Sequence, residues 1–119
     1  MADEITINIG MSCTNGNFRF SKSYETDIDQ TGVGGGGGTP TITTDEELLD
    51  WGEISTAGIL SLYNMDSTNT VEVGVMVDYV FQPVIKVRPE QFVLIEPYSS
   101  LYVRTDAGTA QLEWKILEQ

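Results

Sequence analysis

The chain has 119 residues, of which 40% are apolar, so it is long enough for one hydrophobic core but not for two. Its formal charge of −12, from six basic and eighteen acidic residues, argues against binding to nucleic acid or to an anionic membrane surface. The acidic excess either keeps copies soluble, or it indicates a partner with a basic surface or bound divalent cations.

Histidine is absent, and Cys13 is the only cysteine of the sequence. These facts exclude Ser-His-Asp and Cys-His catalysis, His-ligated metal sites and an internal disulfide. We expect Cys13 to behave as a small, partly buried residue. The first ten residues lack the features of a secretory signal, and nowhere do eighteen apolar residues run together, so we expect synthesis in a cytoplasm.

Two alternating stretches near the N-terminus predict a hairpin. Isoleucines alternate with polar residues in a first strand over about residues 4–12. The turn dipeptide Asn15-Gly16 follows, and a second strand runs over residues 18–28. The alternation of this second strand weakens after Lys22, which is typical of an exposed edge.

A low-complexity break, GVGGGGGTP, covers residues 32–40. Glycines have no side chains to pack and lose much entropy when they are ordered, so this stretch is predicted to be a flexible surface loop. A phosphate-binding loop would need Gly-Lys-Ser/Thr and a helix after the glycines, whereas the β-like residues 41–44 follow here. The sequence therefore does not support a nucleotide site.

Residues 44–52, TDEELLDWG, allow two interpretations. Capping-box spacing at the start permits one helical turn, which would be too short to be stable alone. The other interpretation is an irregular strand that carries Leu48, Leu49 and Trp51 towards the core. We favour strand or turn.

The sequence GILSLYNMDSTNTVEVGVMV predicts a second hairpin. Its arms, residues 59–64 and 71–77, are apolar or alternating, and the connecting MDSTNT holds side chains that can bend the backbone. In the second arm Val71, Val73 and Val75 share one face, so this arm is expected to bury one side.

The remaining chain repeats this pattern, with strands predicted over residues 79–87, 92–95, 101–105 and 110–118. Pro83 marks an edge strand or a bulge, because proline cannot donate a hydrogen bond to a sheet. Parity places on one face Tyr79, Phe81, Ile85 and Val87. In the last strand, which we expect to pair in mid-sheet, the residues predicted to face inward are Ala110, Leu112, Trp114 and Ile116.

About eight or nine short strands without a convincing helix indicate an all-β protein, an antiparallel β-sandwich or barrel, with a single domain over residues 1–119. Two carboxylates could serve as a glycosidase acid and base, and an acidic loop could bind calcium, but a solvated acidic surface is favoured. The candidate carboxylates are Asp27, Asp29, Asp45, Glu46, Glu47 and Asp50. Of the two tryptophans, Trp114 fits the core, and Trp51 is the better candidate for an exposed, sugar-stacking aromatic.

Four segments follow a recurrent order: WGEISTAGIL, LYNMDSTNTVEVGV, IKVRPEQFVLIEP and LYVRTDAGTAQLEWKILE. They read as a strand, an N-x-D-x-T-N turn with Asn64, Asp66 and Asn69, a valine-rich strand, a second turn and a closing A-x-L-x-x-x-I-L-E strand. In this order, residues 47–118 resemble small structural proteins of tailed bacteriophages. Glu90 stands in the second turn where glycine would be commoner, so that turn is expected to differ in shape.

The resemblance implies a non-enzymatic virion protein, without catalytic residues, cofactors or metal. It would be a capsid decoration (cement) protein that binds and stabilises the phage head shell, or an accessory protein of the neck or tail. The implied architecture is a jelly-roll-like sandwich that forms a homotrimer. The implied partners are the major capsid protein or other virion proteins, after synthesis in the bacterial host cytoplasm.

The leading alternative is a tail or neck component, or a carbohydrate-binding module, that recognises a surface glycan or receptor. The candidate exposed contact residues are Trp51, Asp66 and Asn69. The glycine-rich segment would let the N-terminal part reach a neighbouring subunit or the shell.

Overall fold

The computed structural model describes residues 5–28, 34–52 and 57–118. The chain divides into two compact units, Met1–Gly32 and Val33–Gln119. Every regular element in the described ranges is a β-strand, and every pairing between them is antiparallel. The all-β antiparallel prediction is confirmed. The single domain predicted over residues 1–119 stays a prediction, and each of the two units is described by itself.

The first unit is a hairpin of β1 (Ile5–Asn15) and β2 (Phe18–Ile28), which pair without a break along their whole length. Gly16, with a φ of 61°, turns the chain between them. The predicted hairpin is confirmed, although β1 continues past residue 12 to the turn and its predicted start at residue 4 lies outside the described residues. Cys13 is exposed, so its predicted partial burial is wrong, because the two described strands of this unit form a single layer.

The second unit is a sandwich of two sheets. Its strands are β3 (Gly35–Gly38), β4 (Thr41–Ile42), β5 (Glu47–Leu48), β6 (Ala57–Asn64), β7 (Val71–Val77), β8 (Val80–Val87), β9 (Phe92–Ile95), β10 (Tyr102–Thr105) and β11 (Ala110–Glu118). One sheet has the order β5-β10-β7-β8, and the other has the order β3-β11-β6-β9 with β4 also paired to β11. From β4 to β11 the chain changes sheet at every connection except the β7–β8 hairpin.

The strand prediction is confirmed for residues 71–77, 92–95 and 110–118, but the hairpin predicted within GILSLYNMDSTNTVEVGVMV is wrong. β6 pairs with β11 and β9, whereas β7 pairs with β10 and β8, so the two arms lie in opposite sheets. Alternating hydrophobicity identifies a strand and its buried face but not its partners. Residues 65–70 therefore cross between the two sheets.

The glycine run is an ordered edge strand where it is described. β3 pairs with residues 114–117 of β11, so the predicted loop is corrected for Gly35–Gly38, while residues 32 and 33 lie outside the described ranges. A Cβ added at Gly38 would lie 3.1 Å from the Trp114 indole nitrogen, and one added at Gly37 would lie 2.9 Å from the Trp114 carbonyl oxygen. Because these residues are glycines, the backbone of β3 can lie close to Trp114 at the end of the core.

Residues 47–48 form the short strand β5, as the strand-or-turn interpretation predicts. Leu49 is buried and Leu48 is exposed, because neighbouring strand residues point to opposite faces. Leu49 continues the pairing of β5 with β10 in the same sheet, since its backbone amide donates to the carbonyl of Leu101 at 2.9 Å.

The β7–β8 pair contains a bulge, as Pro83 predicts. The register changes between Val73, which lies opposite Ile85, and Gly74, which lies opposite Pro83. Because of this shift, β8 residues before the bulge face the opposite side of the sheet from β8 residues of the same parity after it. Phe81 consequently lies on the outer face, with the Arg104 guanidinium 4.5 Å from its ring centroid, and its predicted place beside Ile85 is wrong.

Two turns require the left-handed backbone conformation at residues other than glycine. Asp78 and Tyr79 have φ values of 52° and 65°, which matches the tight turn of a two-residue hairpin between β7 and β8. Tyr79 is therefore a turn residue and 97% exposed, and its predicted place within the strand, on one face with Ile85 and Val87, is wrong. Glu90 has a φ of 59°, so the position where glycine is commoner does demand a glycine-like conformation.

One hydrophobic core fills the space between the two sheets. Its buried members are Ile42, Leu49, Leu60, Leu62, Val71, Val73, Val87, Leu101, Val103, Ala110, Leu112, Trp114 and Ile116. The four inward residues predicted for the last strand all belong to it, and β11 lies between β6 and the β3–β4 edge, as predicted. Most of this core comes from the middle strands, whose alternate residues are fully buried.

We predict that Gly74→Ala destabilises the sandwich by about 3 kcal/mol. A Cβ at this position would lie 1.9 Å from the carbonyl oxygen of Gln82, in the bulged β8 backbone, so the bulge would have to move. Urea unfolding followed by tryptophan fluorescence measures the change. Gly36→Ala is the matched control, because its nearest neighbours are ring atoms of Trp114 at 3.9 Å. Equal stability of the two variants would contradict the prediction.

Candidate interaction surfaces

The three predicted contact residues do not form an exposed site. Trp51 is half-buried and packs against the core cluster, so its prediction as an exposed aromatic is wrong. Asp66 and Asn69 are also half-buried. The structure brings them together, since the backbone amide of Asn69 donates to Asp66 Oδ2 at 2.6 Å. These two residues shape a loop instead of presenting themselves to a partner.

Asn64, at the end of β6, is the centre of that loop's hydrogen-bond network. Its side chain is fully buried and donates from Nδ2 to the carbonyls of Asn69, at 2.8 Å, and Val87, at 3.0 Å. Its Oδ1 accepts from the backbone amide of Asp66 at 2.9 Å. One buried amide therefore joins the end of β6 to the end of β8 in the other sheet and to the crossover between the sheets.

Asp66 holds the tip of the crossover in an Asx-type turn. Its Oδ2 accepts from the backbone amides of Asn69 and Thr68, and these N–H donors hold the pKa of Asp66 below its ordinary value of 3.8. The ionised carboxylate is thus the form that stabilises the turn.

The crossover is also tied to the β10–β11 turn. Asn69 Nδ2 donates to the carbonyl of Thr109 at 2.8 Å, and the amide of Thr70 donates to Asp106 Oδ1 at 3.1 Å. A Cβ at Gly108, which has a φ of 63°, would lie 2.9 Å from Asn69 Nδ2. These bonds fix one end of the sandwich as a rigid loop cluster.

We predict that Asp66→Asn makes stability less sensitive to acid. Because the Asp66 pKa is lower in the folded chain, its carboxylate contributes stability in full above the unfolded pKa, and this contribution is lost as the pH falls through the lower folded value. The variant's amide oxygen accepts hydrogen bonds at any pH. Its urea midpoint should therefore decrease less than that of the unmodified chain between about pH 5 and pH 2. Ser67→Ala, in the same loop, should keep the original slope; parallel slopes for all three proteins would contradict the assignment.

The acidic segment borders a groove between the two sheet edges β3–β4 and β5. The groove has a volume of about 360 Å³, with the core residues Ile42, Leu49 and Trp114 in its lining and Glu47 and Asp50 beside them. Asp50 Oδ1 accepts from the amide of Gly52 at 2.8 Å, which makes it a turn residue. Of the carboxylates predicted to cluster in residues 45–50, Glu47 and Asp50 thus border an opening to the core.

The outer face of the β3-β11-β6-β9 sheet combines apolar side chains on β6 and β9 with Gln111, Glu113 and Lys115 on β11. Phe92 lies beside Tyr63 on neighbouring strands, and Leu94 lies beside Ser61. We call this surface the apolar outer face; it comprises Ile59, Tyr63, Phe92, Leu94 and Leu117. Phe92 is 72% exposed, and adjacent exposed apolar side chains on a folded domain mark interaction sites.

The outer face of the β5-β10-β7-β8 sheet contains an ion pair. Arg104 Nε donates to Glu72 Oε1 at 2.8 Å, and Lys86 lies opposite Glu72 on the next strand. The Arg104 guanidinium also covers the ring of Phe81. The β6–β9 end of one outer face therefore carries adjacent exposed apolar side chains, whereas an ion pair bridges the other outer face.

Sequence reasoning missed the apolar outer face, although a signal was present. The run ILSLY in β6 has apolar residues at both odd-numbered and even-numbered positions. A strand that buries only one face needs apolar residues only at every second position. Phe92 gave no comparable signal, because its place beside Tyr63 depends on the β6–β9 pairing, which joins distant parts of the sequence.

Comparisons of the chain with protein families, with curated proteins and with solved structures found no match. Within residues 5–28, 34–52 and 57–118, no three cysteine, aspartate or glutamate side chains come together as a metal-binding group. The same ranges contain no helix with the length and apolar character needed to cross a membrane.

Proposed function

We propose that the chain is a non-enzymatic structural protein of a tailed-phage virion, specifically a decoration (cement) protein that binds and stabilises the head shell. The single observation that supports this proposal best is the group of adjacent exposed apolar side chains at the β6–β9 edge, the apolar outer face. A rigid domain with such a patch on one side suits one-sided attachment to a larger surface. The resemblance of residues 47–118 to phage structural proteins provides the identity of that surface.

The proposed partner is the major capsid protein, or another virion protein, of the same particle. Residues 34–118 carry thirteen acidic and four basic side chains, so basic patches on the shell would attract the sandwich and orient it. The apolar outer face would then be buried in the contact. In a homotrimer, three such contacts act together, and the linked binding exceeds the affinity of each contact alone.

A second candidate is a tail or neck component that binds a surface glycan. Its support is the exposure of two tyrosine rings, Tyr79 in the β7–β8 turn and Tyr98 after β9, each of which offers a flat face for sugar stacking. Glycan-array binding that is lost in both Tyr79→Ala and Tyr98→Ala would favour this candidate over attachment to the shell.

Co-sedimentation with phage heads tests the decoration proposal. Heads are purified from a strain in which the gene is deleted, and the purified protein is added back. We predict that Phe92→Glu weakens binding by about tenfold or more, because it places a charge within the apolar outer face. Val84→Glu is the matched control, since Val84 is 70% exposed on β8, at the edge of the other sheet.

The expected result is binding by the unmodified protein and by Val84→Glu, and loss of binding by Phe92→Glu. Absence of binding by the unmodified protein would refute the decoration proposal. Equal binding by both variants would refute the assignment of the apolar outer face.

A further inference from the structure

We infer that the β1–β2 hairpin joins copies of this chain, by packing its apolar face against the same face of a second copy. This inference goes beyond the proposed function, because it rests on the residues of the hairpin alone and concerns the protein in solution. It holds whether or not the sandwich binds a phage head.

The register separates the hairpin into an apolar and a polar face. Odd-numbered residues of β1 lie opposite even-numbered residues of β2, so each cross-strand pair shares one face. One face, which we call the apolar arm face, carries Ile5, Ile7, Ile9, Met11, Cys13, Phe18, Phe20, Tyr24 and Ile28 together with Lys22, Thr26 and Asn15. The other face carries Thr6, Asn8, Gly10, Ser12, Thr14, Arg19, Ser21, Ser23, Glu25 and Asp27.

The polar face contains no large apolar side chain, so all the large apolar side chains of the hairpin lie on the apolar arm face. Such a division is expected of a sheet with one face packed and one face in water. An isolated two-stranded hairpin is at best marginally stable, and the Met1–Gly32 unit offers only these two described strands. The apolar arm face therefore needs a second layer.

The exposed area on this face is sufficient for a contact between two copies. The side chains of Ile9, Phe20, Tyr24, Met11 and Phe18 are 42%, 42%, 60%, 61% and 63% exposed. With about 200 Å² for each side chain, they expose roughly 500 Å². Two copies that pack face to face would remove roughly 1,000 Å² from water, which reaches the lower range of specific protein interfaces.

The distribution of charge along the chain favours a second copy of this chain as the partner that covers the apolar arm face. Residues 5–28 contain two basic and two acidic side chains, so their formal charge is zero, whereas residues 34–118 have a formal charge of −9. Two sandwiches therefore repel one another, and the hairpin is the part of the chain at which copies can meet without that repulsion. A basic partner would instead be attracted to the sandwich.

The apolar arm face carries one charge, and that charge has a local partner. The Lys22 ammonium lies 5.3 Å from the centroid of the Tyr24 ring, which is within the range of a cation–π contact. Its long stem can lie along the face while the head stays at the rim. Packing two such faces consequently leaves no carboxylate buried between them, because Glu25 and Asp27 point to the other side.

Matched double variants test the inference by light scattering coupled to size exclusion. Ile9→Glu with Phe20→Glu puts two charges on the apolar arm face, and Asn8→Glu with Ser21→Glu puts the same two charges on the polar face. We expect the unmodified chain and the polar-face variant to have at least twice the mass of the 13.1 kDa chain, and the apolar-face variant to be a monomer. A monomeric unmodified chain, or the same mass for both variants, would overturn the inference.

Cys13 provides a second test that does not depend on destabilising substitutions. It lies on the apolar arm face, whereas Ser12 lies on the polar face, so maleimide labelling of the unmodified chain is compared with Ser12→Cys combined with Cys13→Ser. Contact with a second copy should slow labelling of Cys13 about tenfold at high protein concentration, and dilution should remove the difference. Protection of Cys13 that is unaffected by dilution would mean that the same chain covers the face, and fast labelling at every concentration would mean that nothing does. Either result would overturn the inference.

Discussion

The buried side-chain amide of Asn64 is the interaction on which the sandwich most depends. It ends a strand of one sheet, donates to the carbonyl of Val87 in the other sheet, and accepts from the crossover that joins them. Its backbone also takes part, because its amide donates to Gln91 and its carbonyl accepts from Glu90. Loss of this amide would leave buried carbonyls unpaired, at about 1–3 kcal/mol each. The core provides most of the burial energy, but Asn64 fixes which strand ends meet.

The two outer faces of the sandwich differ in the side chains that they present to solvent. β6, β9 and β11 present the apolar outer face, and the Arg104–Glu72 ion pair belongs to the other side. The hairpin adds a different surface, apolar and formally neutral, on a chain that is otherwise strongly acidic. In the two proposals, the hairpin would join copies and the sandwich would attach them to the particle.

The sequence predicts those features that depend on neighbouring residues. Alternation identifies the buried residues of β11, and Pro83 identifies the bulge. It does not predict that β6 and β7 lie in opposite sheets, because strand partners are chosen by long-range packing. The glycine strand is missed for a related reason, since glycines order only when a surface such as Trp114 is placed beside them. Asp66 and Asn69 stand out in the sequence, but their side chains serve the turn and not a partner.

The thermal stability of phage heads with and without the protein tests the central claim most directly. Heads from a strain that lacks the gene are heated alone and after addition of saturating purified protein, and DNA release is followed with an intercalating dye. The account predicts that release moves to a higher temperature, because a ligand that binds only the intact shell stabilises it by mass action. An unchanged release temperature, with the protein bound, would contradict the claim that this chain stabilises the head shell.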